Sequence, residues 1–202
     1  MKKEIIRMEK IVKKFNKNII LNNLDFNVYE NDVIYIKGIN GSGKSTLLKI
    51  IAKLLNIDAG RFSIDNNLNI GALIENPNFA DYSNIYENLS FLYNLKSKMN
   101  YEKVAQLCSR FSLNLKDRQI IKKYSIGMKQ KMGIIQAIME DQNLILLDEP
   151  TRGLDQESLE VFRNLMMELI RQNKTIIIAS HDFIDIGYNK KFELKSGLLS
   201  EI

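Results

Sequence analysis

The chain has 202 residues, 45% of them hydrophobic and 26% charged, with a formal net charge of +5. This excludes disordered and fibrous classes and suffices for one domain with its own core. A single cysteine, Cys108, excludes an intrachain disulfide and a cysteine-based zinc site, fits a reducing compartment and is expected in the core.

The N-terminus, MKKEIIRMEK, is basic but lacks an apolar signal segment, and no stretch approaches the length needed to cross a bilayer. Any membrane role is therefore expected to be peripheral. Lysines come in pairs (Lys2 and Lys3, Lys13 and Lys14, Lys122 and Lys123, Lys190 and Lys191) without interleaved aromatics. That is a solvated surface rather than a nucleic-acid groove, so no nucleic-acid partner is expected.

In chain order, residues 5–12 and 24–28 read as strands, the second alternating apolar and polar as a half-exposed antiparallel strand does. Residues 33–37 form a short apolar strand that runs into GINGSGKST. From Ser45 the apolar positions Leu47, Leu48, Ile51, Leu54 and Leu55 predict a helix. A hairpin is expected at 60–65, then a strand at 70–74 and a Pro-containing loop at 75–78. Helical spacing dominates the middle third: Ile85, Leu89 and Leu92, then Val104, Cys108 and Phe111. A third helix follows Gly127, with Met128, Met132, Ile135 and Met139 on one face. The α/β alternation then resumes with a buried strand at 144–147, a helix over 156–173 capped by Asp155, and a second buried strand from Thr175. Gly197 marks a turn in a terminal hairpin. No internal repeat or long linker appears, so the expected organisation is a single domain over 1–202. Its α/β core takes in 1–80 and 141–202, and a helical subdomain is inserted at 81–140.

Two motifs carry chemistry. Residues 38–45 are a complete G-x-x-x-x-G-K-S between strand and helix, a loop whose backbone N–H groups converge on phosphate oxygens at a helix N-terminus. Gly38, Asn40, Gly41, Ser42, Gly43, Lys44, Ser45 and Thr46 are thus candidate nucleotide contacts. Lys44 is expected at the β and γ phosphates, and the Ser45 hydroxyl at Mg²⁺. The second motif is Leu144-Ile-Leu-Leu-Asp148-Glu149-Pro150, a buried strand that delivers carboxylates to the crevice at its C-terminal end. Asp148 is a candidate Mg²⁺ ligand. Glu149, just past the strand, is placed to take a proton from an attacking water.

With these motifs in order, the chain resembles the nucleotide-binding domain of the ABC ATPase family over nearly its whole length. The resemblance implies an α/β P-loop NTPase core of RecA-like type with a mostly parallel sheet, an N-terminal antiparallel β subdomain and an inserted α-helical subdomain. Tyr124-Ser125-Ile126-Gly127-Met128 resembles the family's Leu-Ser-Gly-Gly-Gln signature, with Ile126 and Met128 departing from it. Ser125 and Gly127 are then expected to close on the ATP of an opposite subunit, which implies a head-to-tail dimer around two ATP molecules. Thr151-Arg-Gly-Leu-Asp155 resembles the D-loop, a role that can coexist with helix capping by Asp155. His181, the only histidine, stands where the family has its switch histidine and is expected at the γ phosphate.

Glu75 replaces the usual Gln of the Q-loop and is a candidate for Mg²⁺ and nucleotide. The wording Ile74-Glu-Asn-Pro77 resembles bacitracin- and lantibiotic-resistance-type exporter ATPases, which implies peptide or antibiotic export. Phe15 stands either under the adenine or in the core. Phe79, Tyr82 and Tyr86 stand either at a permease-docking surface or in the core. The function implied is an ATPase subunit that drives a separate membrane permease from the cytoplasmic face of the cell membrane. A soluble ABC ATPase of the cofactor-assembly type is the alternative.

Overall fold

A computed structural model describes residues 2–202. Strands β1 (Glu4–Phe15) and β2 (Asn18–Tyr29) form a long antiparallel pair, and β3 (Val33–Lys37) leads through the Gly-rich loop into α1 (Lys44–Ile51). Strands β4 (Ala59–Ile64) and β5 (Ile70–Leu73) follow, then helices α2 (Ile85–Asn94) and α3 (Tyr101–Arg110). A 3₁₀ turn at Ile121–Lys123 precedes α4 (Ile126–Ile138), β6 (Leu144–Asp148), α5 (Gln156–Arg171) and β7 (Thr175–Ser180). The chain closes with β8 (Lys190–Lys195) and β9 (Leu198–Glu201), an antiparallel hairpin turning at Gly197.

Two sheets result: a small antiparallel one ordered β2-β1-β4, and a six-stranded one ordered β5-β6-β7-β3-β8-β9 that is parallel except for β9. Residues 60–65 do not form the expected hairpin; β4 is a single strand that pairs back onto β1, with Met8 opposite Phe62. Helix α1 stops at Ile51, and Lys53 adopts a left-handed backbone at φ 59°, so Leu54 lies outside the helix and exposed.

The apolar runs of β6 and β7 are explained by burial on both faces. Side chains alternate across the sheet. Leu144, Leu146, Ile177 and Ala179 join the core under α1 and the antiparallel sheet. Ile145, Leu147, Ile176 and Ile178 join the core under α4, α5 and the helical segment. Cys108 belongs to that second core, and burial pushes its thiol up to about 12. Phe79 packs against the same core, whereas Tyr82 and Tyr86 are exposed. Among the described residues no helix is long and apolar enough to cross a membrane.

At the N-terminal end of β3, the buried Asp32 carboxylate accepts hydrogen bonds from Lys190 Nζ at 2.6 Å, Tyr29 N at 2.9 Å and Lys2 Nζ at 3.2 Å. Burial opposes its charge, but these donors outweigh burial and hold its pKa below the usual aspartate value. Stability from this cluster is therefore present above the unfolded pKa of about 3.9 and is lost as pH falls through the lower folded value. Asp32→Asn is expected to cost about 1–3 kcal/mol at neutral pH. In denaturant titrations repeated at decreasing pH, the gap to wild type should close below about pH 4; a constant gap would show that the charge is not what matters.

Candidate functional site

The sheet order brings three strand ends together. Strand β7 lies between β3 and β6, with Lys37 opposite Ser180 and Asp148 opposite Ala179. The Gly-rich loop, the Asp148-Glu149 pair and His181 therefore meet at one C-terminal sheet edge, where open α/β sheets bind ligands. A cavity of about 770 Å³ opens there, walled by the Gly-rich loop, residues 75–78, Gln130, Asp148, Glu149 and Arg152, with Phe15 and Ile20 also lining it. Phe15 is half-exposed on this wall and belongs to neither core.

Helix α1 begins without a side-chain cap. Its N-cap, Gly43, has φ 106°, a backbone that an L side chain rarely adopts. Among the described residues the other four α-helices are capped, by Asn84, Asn100, Ser125 and Asp155. The first N–H groups of a helix lack intrahelical acceptors, so the one left uncapped is an open anion site with the helix dipole behind it. Lys44, buried at its base, donates through Nζ to the carbonyls of Gly38 at 2.6 Å and Ile39 at 3.2 Å, and lies 3.3 Å from Glu149 Oε1.

Ser45 Oγ donates to Asp148 Oδ2 at 2.5 Å, while Asp148 Oδ1 and Ser42 Oγ are buried without partners. Burial pushes the Asp148 pKa up and the Glu149 charge adds to this, against the hydrogen bond from Ser45. A buried carboxylate oxygen with no donor, beside a hydroxyl, is a pairing that a cation satisfies. Among the described residues no group of three or more His, Cys, Asp or Glu could hold a metal ion. The donor set fits Mg²⁺, which binds through one or two protein oxygens and keeps water and phosphate oxygens as its other ligands.

Glu149 follows with φ 45°, its N–H extending the sheet ladder to Ala179 O at 2.8 Å. Its carboxylate accepts from Ser180 Oγ at 2.7 Å and His181 N at 3.1 Å, and lies 2.8 Å from His181 Nδ1. Burial disfavours its charge, but the Ser180 hydrogen bond and the Lys44 charge prevail and hold its pKa below the usual glutamate value. A carboxylate kept ionised and fixed in this way can accept a proton from a water in the cavity.

Glu75 lines the cavity, and its carboxylate lies 2.6 Å from Lys49 Nζ on α1. Other expected residues lie elsewhere. Ser125, Gly127 and Asp155 do not line the cavity. Ser125 Oγ caps α4 by accepting from Met128 N at 3.1 Å, which leaves its O–H free to donate. Asp155 caps α5 by accepting from Ser158 N at 2.8 Å, and with the Ser158 hydroxyl its pKa is held down at about 2. Gln130 and Ser180 are parts of the site that the motifs do not mark, and Arg152 lines the cavity from within the D-loop-like run 151–155. Ser180 directly precedes His181, and Gln130 lies one helical turn past Gly127, so adjacency was the available signal.

Fold and site together define a P-loop nucleotide-binding cassette. The family model described as ABC transporter matches residues 21–152, and the chain belongs to that family. It is 34% identical over 192 residues to the uncharacterized ABC transporter ATP-binding protein YdbJ of Bacillus subtilis, covering 90% of this chain and 62% of that protein. It is 28% identical to the lantibiotic transport ATP-binding protein SrtF of Streptococcus pyogenes (95% of this chain, 90% of that one). Identity to the bacitracin transport ATP-binding protein BcrA of Enterococcus faecalis is 32% (90% and 63%). The chain thus spans less than two thirds of YdbJ and of BcrA. In fold it is similar to the dimeric ABC transporter cassette MJ0796, with a TM-score of 0.85 at 24% identity and 96% of each chain covered. The ADP- and phosphate-bound dimer of MJ0796 gives a TM-score of 0.86 at 24% identity and 98% coverage of each chain.

Proposed function

We propose that this chain is the ATP-hydrolysing subunit of an ABC transporter. Two copies would pair head to tail around two ATP molecules and drive a separate membrane permease that exports a peptide or antibiotic. The observation that carries the reading is the gathering of Lys44, Ser45, Asp148 and the ionised Glu149 at adjacent strand ends, beside the uncapped start of α1. Its support for transport is similarity to SrtF and BcrA, transport ATP-binding proteins by name.

In this reading the open end of α1 and the loop 38–46 hold the phosphates, and Lys44 exchanges its carbonyl partners for phosphate oxygens. Phe15 lies under the adenine. Mg²⁺ would be held by Ser45 and Asp148, with Glu75 a further candidate, and when bound it offsets negative charge on the phosphates. Glu149 takes the proton of the attacking water, steadied by Ser180 and His181, and His181 also reaches the γ phosphate. Ser125, Gly127 and Asp155, lying off the cavity, meet the nucleotide held by the second copy. The chain acts as a single domain, its core at 1–80 and 141–202 and its helical subdomain at 81–140. Exposed Tyr82 and Tyr86 belong to the permease-docking surface, at the inner face of the cell membrane.

The test is phosphate release from ATP and Mg²⁺ by the purified chain over a range of protein concentrations. Specific activity should rise with concentration, because each site needs two chains. Constant specific activity would remove the dimer from the reading, and no release with or without co-expressed permease would remove the enzyme. Co-purification of a polytopic membrane protein is expected from native cells; soluble companions alone would favour the assembly-factor class.

A further inference from the structure

We infer that Gln130 is a positioning residue, fixing the turn that carries Glu149 to the face of helix α4. The inference rests on the reading of Glu149 as the proton acceptor. Gln130 is 5% exposed and lines the cavity, and its Nε2 donates to the Glu149 carbonyl at 3.0 Å.

That hydrogen bond falls on a backbone that needs support. Glu149 has φ 45°, a left-handed conformation costly for a residue with a side chain. The same carbonyl accepts the Arg152 N–H at 3.2 Å, closing a tight turn over Pro150 and Thr151. Gln130 ties this turn to a rigid helix. The carbonyl is thus held by one short-range bond and one long-range bond; the second ties the turn to α4, as the Glu149 N–H to Ala179 O ties it to β7.

Two further contacts run along the same pair of segments. Gly127 approaches so closely that a Cβ there would stand 2.5 Å from the Gly153 carbonyl oxygen. Lys131 Nζ lies 3.3 Å from Asp155 Oδ2. Positions 127, 130 and 131 are three and four residues apart and share one helix face. That face therefore lies along 149–155, meeting it at Glu149, Gly153 and Asp155. Whatever displaces the start of α4, where Ser125 and Gly127 sit, moves the Glu149 backbone with it.

The test compares Gln130→Met, which keeps shape but removes the donor, with Gln130→Lys, which keeps a donor of similar reach. In steady-state ATP hydrolysis, Gln130→Met should lose about 10- to 100-fold in kcat, the scale of an ångström-level misplacement, with KM and nucleotide-binding stoichiometry unchanged. Gln130→Lys should turn over faster than Gln130→Met although a buried ammonium is worse for the fold, an order that a merely structural glutamine would reverse. The inference is overturned if Gln130→Met keeps kcat within about twofold, if its loss matches a loss of binding stoichiometry, or if the lysine variant is no faster. A wild-type chain without turnover would instead overturn the reading of function, and this inference with it.

Discussion

Glu149→Gln is expected to bind ATP as wild type does and to release phosphate roughly 10²- to 10⁴-fold more slowly, the range for loss of a positioned general base. The amide keeps the volume of the carboxylate, and its one oxygen, at the Oε2 position, can still accept from Ser180 Oγ and at longer range from His181 N, so the turn held by Gln130 and Arg152 should persist. What disappears is the charge, and with it the ability to take a proton from water. The ion pair to Lys44 disappears too, which frees that lysine for phosphate. Binding should therefore hold steady or tighten while turnover collapses, and ATP-bound dimer should accumulate. Nucleotide titration, size-exclusion chromatography with ATP, and phosphate release on one preparation check all three. Turnover near wild type would remove Glu149 from its role.

Lys44→Ala should show the opposite pattern, a loss at the binding step. The ammonium is the buried cation beneath the loop, within reach of the Gly38 and Ile39 carbonyls and the Glu149 carboxylate. Its removal leaves Glu149 without a counter-charge beside an incoming polyphosphate, so repulsion is added to the lost contact. A hydrogen bond to a charged group is worth about 1.5–3 kcal/mol, which corresponds to a roughly 10- to 100-fold weaker Kd for ATP. Calorimetric titration with ATP and with adenosine separates the causes: ATP affinity should fall while adenosine affinity does not. Unaltered ATP binding would contradict the assignment of the loop to phosphate.

Much of this arrangement was legible in the sequence, for physical reasons that differ by element. Strands β6 and β7 announce themselves because burial on both faces leaves them almost wholly apolar. The 38–46 loop and the Asp148-Glu149 pair were legible because their chemistry restricts residue type. The pattern at 60–65 suggests a hairpin instead of strand β4 because the partner of that strand, β1, lies some fifty residues earlier, and no local pattern encodes that pairing. The spacing of α1 predicts a longer helix than forms, because Leu54 and Leu55 keep the helical period beyond the left-handed turn at Lys53. At the site, the pairing of Glu75 with Lys49 and of Gln130 with the Glu149 carbonyl depends on side-chain direction across elements, which spacing does not carry.

The uncapped start of α1 has a consequence for the protein's life in a cell. Four helices carry their own caps, whereas the fifth borrows one from the nucleotide in the proposed function. A ligand that completes a helix belongs to the folded state alone and stabilises it by mass action, by about 2.7 kcal/mol at a hundredfold excess over Kd. In that function the resistance of the chain to unfolding follows cellular energy charge: ATP would both drive the protein and stabilise its fold, and a cell short of ATP would hold a less stable protein.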